Sequence, residues 1–277
     1  LVIIDGVKLN DPLTGHFSMY VPIHPSEIER VEILKGAASA IWGSEAVGGV
    51  VNIITKTFTA GKNKNQFKGK IVGGQYGLFN GDAYLSYSKN RSSFAAGILS
   101  NNAKGKPLRG TNGFFHLTTA NISFSQLFAK DWRFSLRTAV DFRKFNAQNF
   151  YTTFASDTAE EKVDTWWNHL NLQKNTKRGS LNFDAAYKKL RDQYWFRPTA
   201  IPNDNKTNLF TSQLYYSADI NKQHGYTCGV QVHRKEIRSN DRGNHSLWHA
   251  AVYSIFRHKL KNGFYLNESL RLDWDES

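Results

Sequence analysis

The stretch Ile28–Lys56, IERVEILKGAASAIWGSEAVGGVVNIITK, divides the chain into two unlike parts. It opens on charge, passes through small residues and glycines, and closes on Gly48–Thr55, a nearly continuous β-branched run that reads as a buried strand. Arg30–Leu34 alternates Val31 and Ile33 with Arg30 and Glu32, the pattern of a half-buried strand. Ala37–Trp42 predicts a short helix ended by Gly43. Upstream, Leu1–Ile4 is a short apolar strand closed by the turn pair Asp5-Gly6. Asn10–Tyr20, broken by Asn10-Asp11-Pro12 and Gly15, is a loop. Pro25-Ser26 ahead of Glu27–Glu29 predicts a helix start, with Ser26 as N-cap and Glu29 as its capping-box partner.

Nothing downstream looks similar. After the polar stretch Gly61–Asn65 the chain alternates apolar and polar residues almost to its end. In Trp132–Lys144 the even positions from 132 to 142 are Trp, Phe, Leu, Thr, Val and Phe, and the odd ones include Arg133, Arg137, Asp141 and Arg143. An arginine facing lipid near the midplane would cost roughly 2–4 kcal/mol, so the even face meets the apolar medium and the odd face meets water. The same parity recurs around Ile122, Leu181 and Phe264. Twelve to fourteen residues tilted by ~45° rise roughly 28–33 Å, enough to cross an apolar band of ~25 Å. Soluble sandwich strands usually stop at about five or six residues. Eleven such strands fit between residues 66 and 275. Their connections alternate between short basic turns (Lys89–Ser92, Ala129–Asp131, Thr176–Gly179, Asn221–Gly225, Lys261–Gly263) and mostly longer loops (Asn101–His116, Asn146–Lys162, Arg197–Lys206, Ser239–His245), with Tyr76–Asn80 a short exception. Membrane barrels show this asymmetry.

The totals agree. The 277 residues contain no run of 18 apolar residues, which excludes a transmembrane helix and leaves a β-barrel open. Aromatics at 14% suit strands and interfacial girdles. The net charge of +13 points to an anionic neighbour, a lipopolysaccharide surface or nucleic acid. The basic residues fall in turns and at inward parity rather than in an aromatic-interleaved stripe, so nucleic acid is not the expected partner. The single Cys228 can form no intramolecular disulfide. Leu1 already stands in a strand and LRLDWDES ends in one, so a longer protein is expected at both ends.

The ordered series VIIDGVKLND, IERVE, the Gly36 turn, Trp42-Gly43-Ser44 and GGVVNIIT closely resembles the C-terminal half of the plug domain of TonB-dependent outer-membrane receptors. The resemblance covers about 55 residues; over the alternating region it is architectural only. It implies an all-β fold with a small α+β plug: a transmembrane antiparallel barrel of 22 strands, eleven of them present, with its lumen closed by the plug. The domains expected are residues 1–58 for the plug, 59–65 for a linker and 66–277 for the first half of the barrel. The function implied is that of a bacterial outer-membrane active-transport receptor, not an enzyme, importing an iron-siderophore or cobalamin by TonB-energised plug movement. The implied partners are TonB, a metal chelate or cobalamin-type ligand, and outer-membrane lipid with lipopolysaccharide. A passive porin or adhesin-like barrel and a soluble β-rich binding protein are the competing readings. The family often has Arg where this chain has Lys35, which suggests a looser hold of plug on barrel.

The loop after the Asp5-Gly6 strand is expected, by position in the family, to rise to ligand with Asp11, Thr14, His16, Phe17 and Tyr20. Outer-loop candidates are Arg109 and Arg197, which would attract an anionic chelate, and Phe150 and Tyr151, which would stack on it; Trp195 and Phe196 read as outer girdle. Glu29, Arg30, Glu32 and Lys35 are expected to pair with the charged inner wall. No cofactor, metal site or catalytic constellation is expected. His245 and His249 on a strand would stand roughly 13 Å apart and share no metal.

Overall fold

The computed structural model describes residues 1–14, 20–35, 39–59, 65–128, 130–260 and 264–276. The N-terminal part is a four-stranded sheet in the order β2-β1-β4-β3. Its strands are β1 (Val2–Ile4), β2 (Val7–Lys8), β3 (Ile28–Lys35) and β4 (Gly49–Thr55). β1 and β2 form a two-residue hairpin, pairing Ile4 with Val7 across Asp5 and Gly6. Both turn residues have positive φ, 47° and 84°, which explains the Asp-Gly choice: the twist of such a turn matches the strands. β1 then runs parallel to β4, and β3 pairs antiparallel with β4 on its other side. Gly49 allows that pairing to close, since a Cβ there would sit 2.5 Å from the Leu34 carbonyl oxygen at φ +132°.

The helix expected from Ser26 is instead a single 3-10 turn, Pro25–Glu27, and Ile28 already lies in β3. Its cap is His24, whose Nδ1 accepts from the Ser26 N–H at 3.0 Å. Pairing of Ile28–Lys35 with β4 outweighs the local capping preference of Ser26 and Glu29. A short helix α1 (Ser39–Trp42) precedes Gly43; Gly36, Ala37 and Ala38 lie outside the described residues.

The second part is one antiparallel eleven-stranded sheet in simple up-and-down order. It comprises β5 (Gln66–Gly73), β6 (Phe79–Lys89), β7 (Ser92–Ala103), β10 (Phe115–Leu127), β11 (Trp132–Asn146), β12 (Glu160–Asn175), β13 (Gly179–Trp195), β14 (Asn203–Asp219), β15 (His224–Ser239), β16 (Gly243–Lys259) and β17 (Tyr265–Glu276). The small ribbon β8 (Pro107–Leu108) and β9 (Thr111–Asn112) decorates the loop between β7 and β10. Parity behaves as the alternation predicts. On β11, Ser135, Arg137, Ala139 and Asp141 are buried against the small sheet, while Leu136 and Phe142 are exposed on the outward face.

The strands run longer at one end than the alternation suggested: β13, β14 and β16 each have 17 residues. The Ser239–His245 connection, expected among the longer loops, is therefore a tight turn. Ser239 Oγ accepts from the backbone N–H groups of Asp241 and Arg242 at 3.1 and 2.9 Å, and Gly243 resumes the strand at φ +78°. The main apolar contact between the two parts joins Ile4, Val7, Leu9, Ile23 and Ile53 of the small sheet to Ala139, Trp167 and Ala186 of the wall.

Candidate functional site: the seam and the outer cavity

The small sheet is held in the concave wall largely by polar contacts, and Arg137 is their centre. It projects inward from β11 and is fully buried. Its Nη1 donates to Asp5 Oδ2 at 2.7 Å, its Nη2 to Thr55 Oγ1, and its Nε to Ser123 Oγ at 2.9 Å. Glu27, also fully buried, stands 3.7 Å from Nη2 and accepts from the Tyr84 hydroxyl at 2.7 Å. The Phe58 ring lies under the guanidinium, 4.4 Å from its centroid. One arginine of the wall thus ties together the β1–β2 turn, the Pro25–Glu27 turn and the end of β4. The hairpin geometry makes this possible: Asp5 also accepts from the Thr55 N–H at 2.8 Å, so its carboxylate is held from within the small sheet as well as by Arg137.

Further contacts run along the seam. Gln213 Nε2 donates to Gly6 O at 3.1 Å, Lys188 Nζ to Leu9 O at 2.6 Å, and Arg133 Nη1 to Phe58 O at 2.9 Å. The His24 N–H donates to Asn121 Oδ1 at 2.8 Å. Gly97 on β7 leaves the room for this: a Cβ there would stand 2.4 Å from the His24 Cβ. On the other flank Glu45 bridges Lys8 (3.3 Å) and Lys235 of the wall. Burial pushes the Glu45 carboxyl up, but Lys8 and Lys235 outweigh it and bring it down to about 2. Lys8 itself is lowered, because its desolvation exceeds the attraction of Glu45.

Of the residues expected to touch the wall, Arg30 pairs with Glu32 on the same strand at 2.7 Å, and Glu32 accepts from Asn52 at 3.3 Å. Arg30, Glu32 and Lys35 are exposed and Glu29 is half-buried. β3 is the strand farthest from β2 in the sheet, and Arg137 of the wall is met from the turns at Asp5 and Glu27.

Above the seam, where β12–β15 end and begin, lies a cavity of about 390 Å³. Thr14 and Leu13 form its floor, and Tyr151, Asp192, Tyr194, Asn203 and Asn205 line one side. Arg242 and Asp241 of the tight turn complete the rim. Tyr151 reaches it from the 147–159 loop, which Asp157 organises by accepting from Asn149 N, Thr152 Oγ1 and Ala159 N. Burial raises the Asp157 carboxyl, but these three bonds and the nearby Arg109 bring it below its ordinary range. Tyr151 Oη donates to Glu161 Oε1 at 3.0 Å, and its ring meets Tyr194 edge-on, centroids 5.0 Å apart.

Thus Thr14 and Tyr151, both singled out from sequence, stand in the cavity. Asp11 is turned down to the wall, where Thr207 Oγ1 donates to it at 2.6 Å. Tyr20 lies under Arg143, 3.9 Å from ring centroid to guanidinium carbon. Its phenol is pushed up to about 12 by burial and by Glu161, so it stays protonated. Arg109 braces the loop through the carbonyls of Phe154 and Asp157, Phe150 packs edge-on against Phe145 and Tyr151, and Arg197 sits 6.0 Å above the Phe196 ring. His16 and Phe17 lie outside the described residues. Sequence reading passed over Asp192, Asn205 and Glu161, although Asp192 shares the inward parity of Asp184 and Lys188 on β13, which was the signal available. His249 pairs with Asp273 and Asp275. Among the described residues no group of three or more His, Cys, Asp or Glu is placed to hold a metal ion.

Residues 1–50 match the TonB-dependent Receptor Plug Domain family. These first 50 residues are similar to the plug of TonB-dependent receptors. The plug is also where the similarity to a curated relative lies: the vitamin B12 transporter BtuB of Vibrio vulnificus strain CMCP6 is 42% identical over 55 residues, 20% of this chain and 9% of that protein. Solved structures share the fold of plug and wall together. The siderophore receptor PiuA from Acinetobacter baumannii superposes with a TM-score of 0.76 at 15% identity, covering 99% of this chain and 50% of that one. The siderophore receptor PirA from Pseudomonas aeruginosa gives 0.74 at 19% identity, covering 99% and 48%. The chain spans about half the length of these receptors, and at such identities the likeness is one of fold. These relatives are transport proteins.

Proposed function

We propose that the protein to which this chain belongs is an outer-membrane receptor that binds a scarce nutrient, an iron-siderophore or cobalamin, and imports it through TonB-driven movement of the plug. In this reading residues 1–58 are plug, 59–65 linker and 66–277 wall, and the cavity between Thr14, Tyr151 and Asp192 is part of the ligand site. The observation that carries it is the plug–wall seam. A stopper meant to stay would bury an unbroken apolar face; this one sets Arg137, Asp5, Glu27, Lys188 and Gln213 around the apolar contact of Ile4, Val7 and Leu9 with Ala139, Trp167 and Ala186. Water can replace hydrogen bonds and ion pairs as they part, so such a seam gives way in steps under a pull. A passive porin has no use for a plug so held.

The test is uptake of labelled ferric chelates and of labelled cobalamin by cells that carry the full-length gene or lack it, each with and without TonB. The expected result is uptake of one ligand class that needs both the gene and TonB. Accumulation unchanged by loss of TonB overturns the reading.

A further inference from the structure

The outward face of the wall changes character from its middle toward the end that carries the outer cavity. Leu214, Val230 and Val252 lie side by side on β14, β15 and β16 and are exposed, an aliphatic rung suited to acyl chains. Four residues nearer the cavity end, the register sets Tyr187, Phe210, Arg234 and Trp248 in one line across β13 to β16. A second cavity, of about 290 Å³, opens among them on this outward face, with Asn208 and Glu236 at its upper edge. Tyr187 Oη donates to Asn208 Oδ1 at 2.9 Å, and the Arg234 guanidinium stands 5.1 Å from the Trp248 ring.

Four residues further on, Arg191, Lys206 and Arg238 stand directly opposite one another on three adjacent strands. Like charges so placed in a sheet repel. The acids interspersed with them are taken: Asp204 accepts two bonds from Arg191, Glu236 pairs with Arg234, and Asp164 pairs with Lys162. Among the described residues no carboxylate lies within ion-pair distance of Lys206, of Arg238 or of Lys189, which precedes Arg191 on the same face, and all three are exposed.

A row of uncompensated cations just above an aromatic rung, on the face that meets lipid, is a docking surface for phosphate at headgroup depth. Strands lie about 4.8 Å apart, so the row spans roughly 10 Å, room for more than one phosphate. The cavity beneath it distinguishes among lipids. A glycerophospholipid brings one phosphate and little to set among the rings. A sugar ring brings hydroxyls for Asn208, Arg234 and Glu236 and an apolar face for Phe210 or Trp248.

We propose that this face of β13 to β16 holds a phosphorylated glycolipid of the surrounding leaflet, with acyl chains along Leu214, Val230 and Val252, a sugar in the cavity and phosphates on Lys189, Lys206 and Arg238. This rests on the outer-membrane placement in the transport reading and goes beyond it, since the site faces away from the plug and the transported ligand.

The experiment uses the full-length receptor purified in detergent, with bound lipid counted by native mass spectrometry during titration. The probes are bisphosphorylated lipid A, the same lipid A with both phosphates removed, and phosphatidylglycerol. Bisphosphorylated lipid A is expected to bind about tenfold or more tightly than either of the others, and the joint replacement Lys189→Gln, Lys206→Gln, Arg238→Gln should erase that preference. Trp248→Ala should weaken binding of lipid A with and without phosphates. The joint replacement Lys89→Gln, Arg91→Gln, Lys177→Gln, in the short turns at the opposite end of the wall, should leave the preference intact. Heat-modifiable gel mobility verifies that each variant has folded. Equal binding of the two lipid A forms, phosphatidylglycerol bound as tightly as bisphosphorylated lipid A, a preference that survives the first joint replacement or is lost equally in the second, or lipid A binding unmoved by Trp248→Ala overturns the assignment. Cell fractionation and TonB-dependent uptake score the transport reading separately, so a receptor that imports its ligand from the outer membrane yet shows no phosphate preference counts against this surface alone.

Discussion

Arg137 shows how much one side chain can carry. It is buried among two plug carboxylates, two hydroxyls and an aromatic ring, and each of its three nitrogens has an acceptor. Arg137→Ala would leave Asp5 and Glu27 buried without their cation, a loss of about 3–5 kcal/mol. The expected outcome in the full-length receptor is a lower urea midpoint for plug release, followed by fluorescence of Trp167, whose ring lies 5.8 Å from the guanidinium. The triple change Asp5→Asn, Glu27→Gln, Arg137→Met should recover most of that loss, since it removes the charges together; a triple variant as weak as Arg137→Ala would show that packing, not charge, holds the seam. Gly97 makes a second, steric prediction. Gly97→Ala puts a methyl 2.4 Å from the His24 Cβ and should weaken plug seating by about 1–3 kcal/mol. Adding His24→Gly should restore part of it in the same urea assay. Neither residue was legible as a partner of the other. The charge of Arg137 at inward parity was readable, but its partners lie 132 and 110 residues away in a part of the sequence that offered more obvious charges on β3.

Among the elements, the wall strands were the most legible and β3 the least. The two-residue alternation of β11 follows directly from the medium on each side, so the parity of Arg137 and Leu136 could be assigned without knowing any neighbour. β3 shows the same alternation, yet its outcome depended on sheet order, which alternation does not encode: at the edge farthest from β2, Arg30 pairs with Glu32 along the strand. The strand ends were hidden for a similar reason. Ser239 closes its turn by accepting two backbone N–H groups, a local bond that overrides any sense of a long polar loop. The Glu45 bridge gives this scale its prediction. Its folded carboxyl stands at about 2 against an ordinary 4.5, so the seated plug binds fewer protons there than the released one. The contribution is complete above about 4.5 and is lost as pH falls toward about 2. Plug-release midpoints in the full-length receptor should fall across that window, and Glu45→Gln should flatten that part of the profile. An unchanged slope in Glu45→Gln would assign the acid sensitivity to other carboxylates.

At the scale of the whole molecule, the sheet of β5 to β17 has, among the described residues, two open edges and an outward face of bare aromatics and aliphatics. β17 illustrates both: Leu270, Leu272 and Trp274 are more than half exposed, and its backbone pairs with β16 on one side only. In a membrane an unpaired strand edge leaves its N–H and C=O groups without partners, at several kcal/mol each. In water the same edge is a template for aggregation. The plug does not relieve this, because it fills the concave side; Arg271 of β17 donates to Ile41 O at 2.8 Å, a contact that ties the plug to the sheet and leaves the edge as it was. Residues 1–277 expressed alone are therefore expected to aggregate or to remain unfolded in detergent, giving no compact, heat-modifiable band. The same residues within the full-length chain are expected to give one. A monomeric product of residues 1–277 that melts cooperatively, with β5 and β17 protected from amide exchange, would mean that the two edges meet each other in a smaller closed barrel, and the plug could not then sit as it does against Arg137.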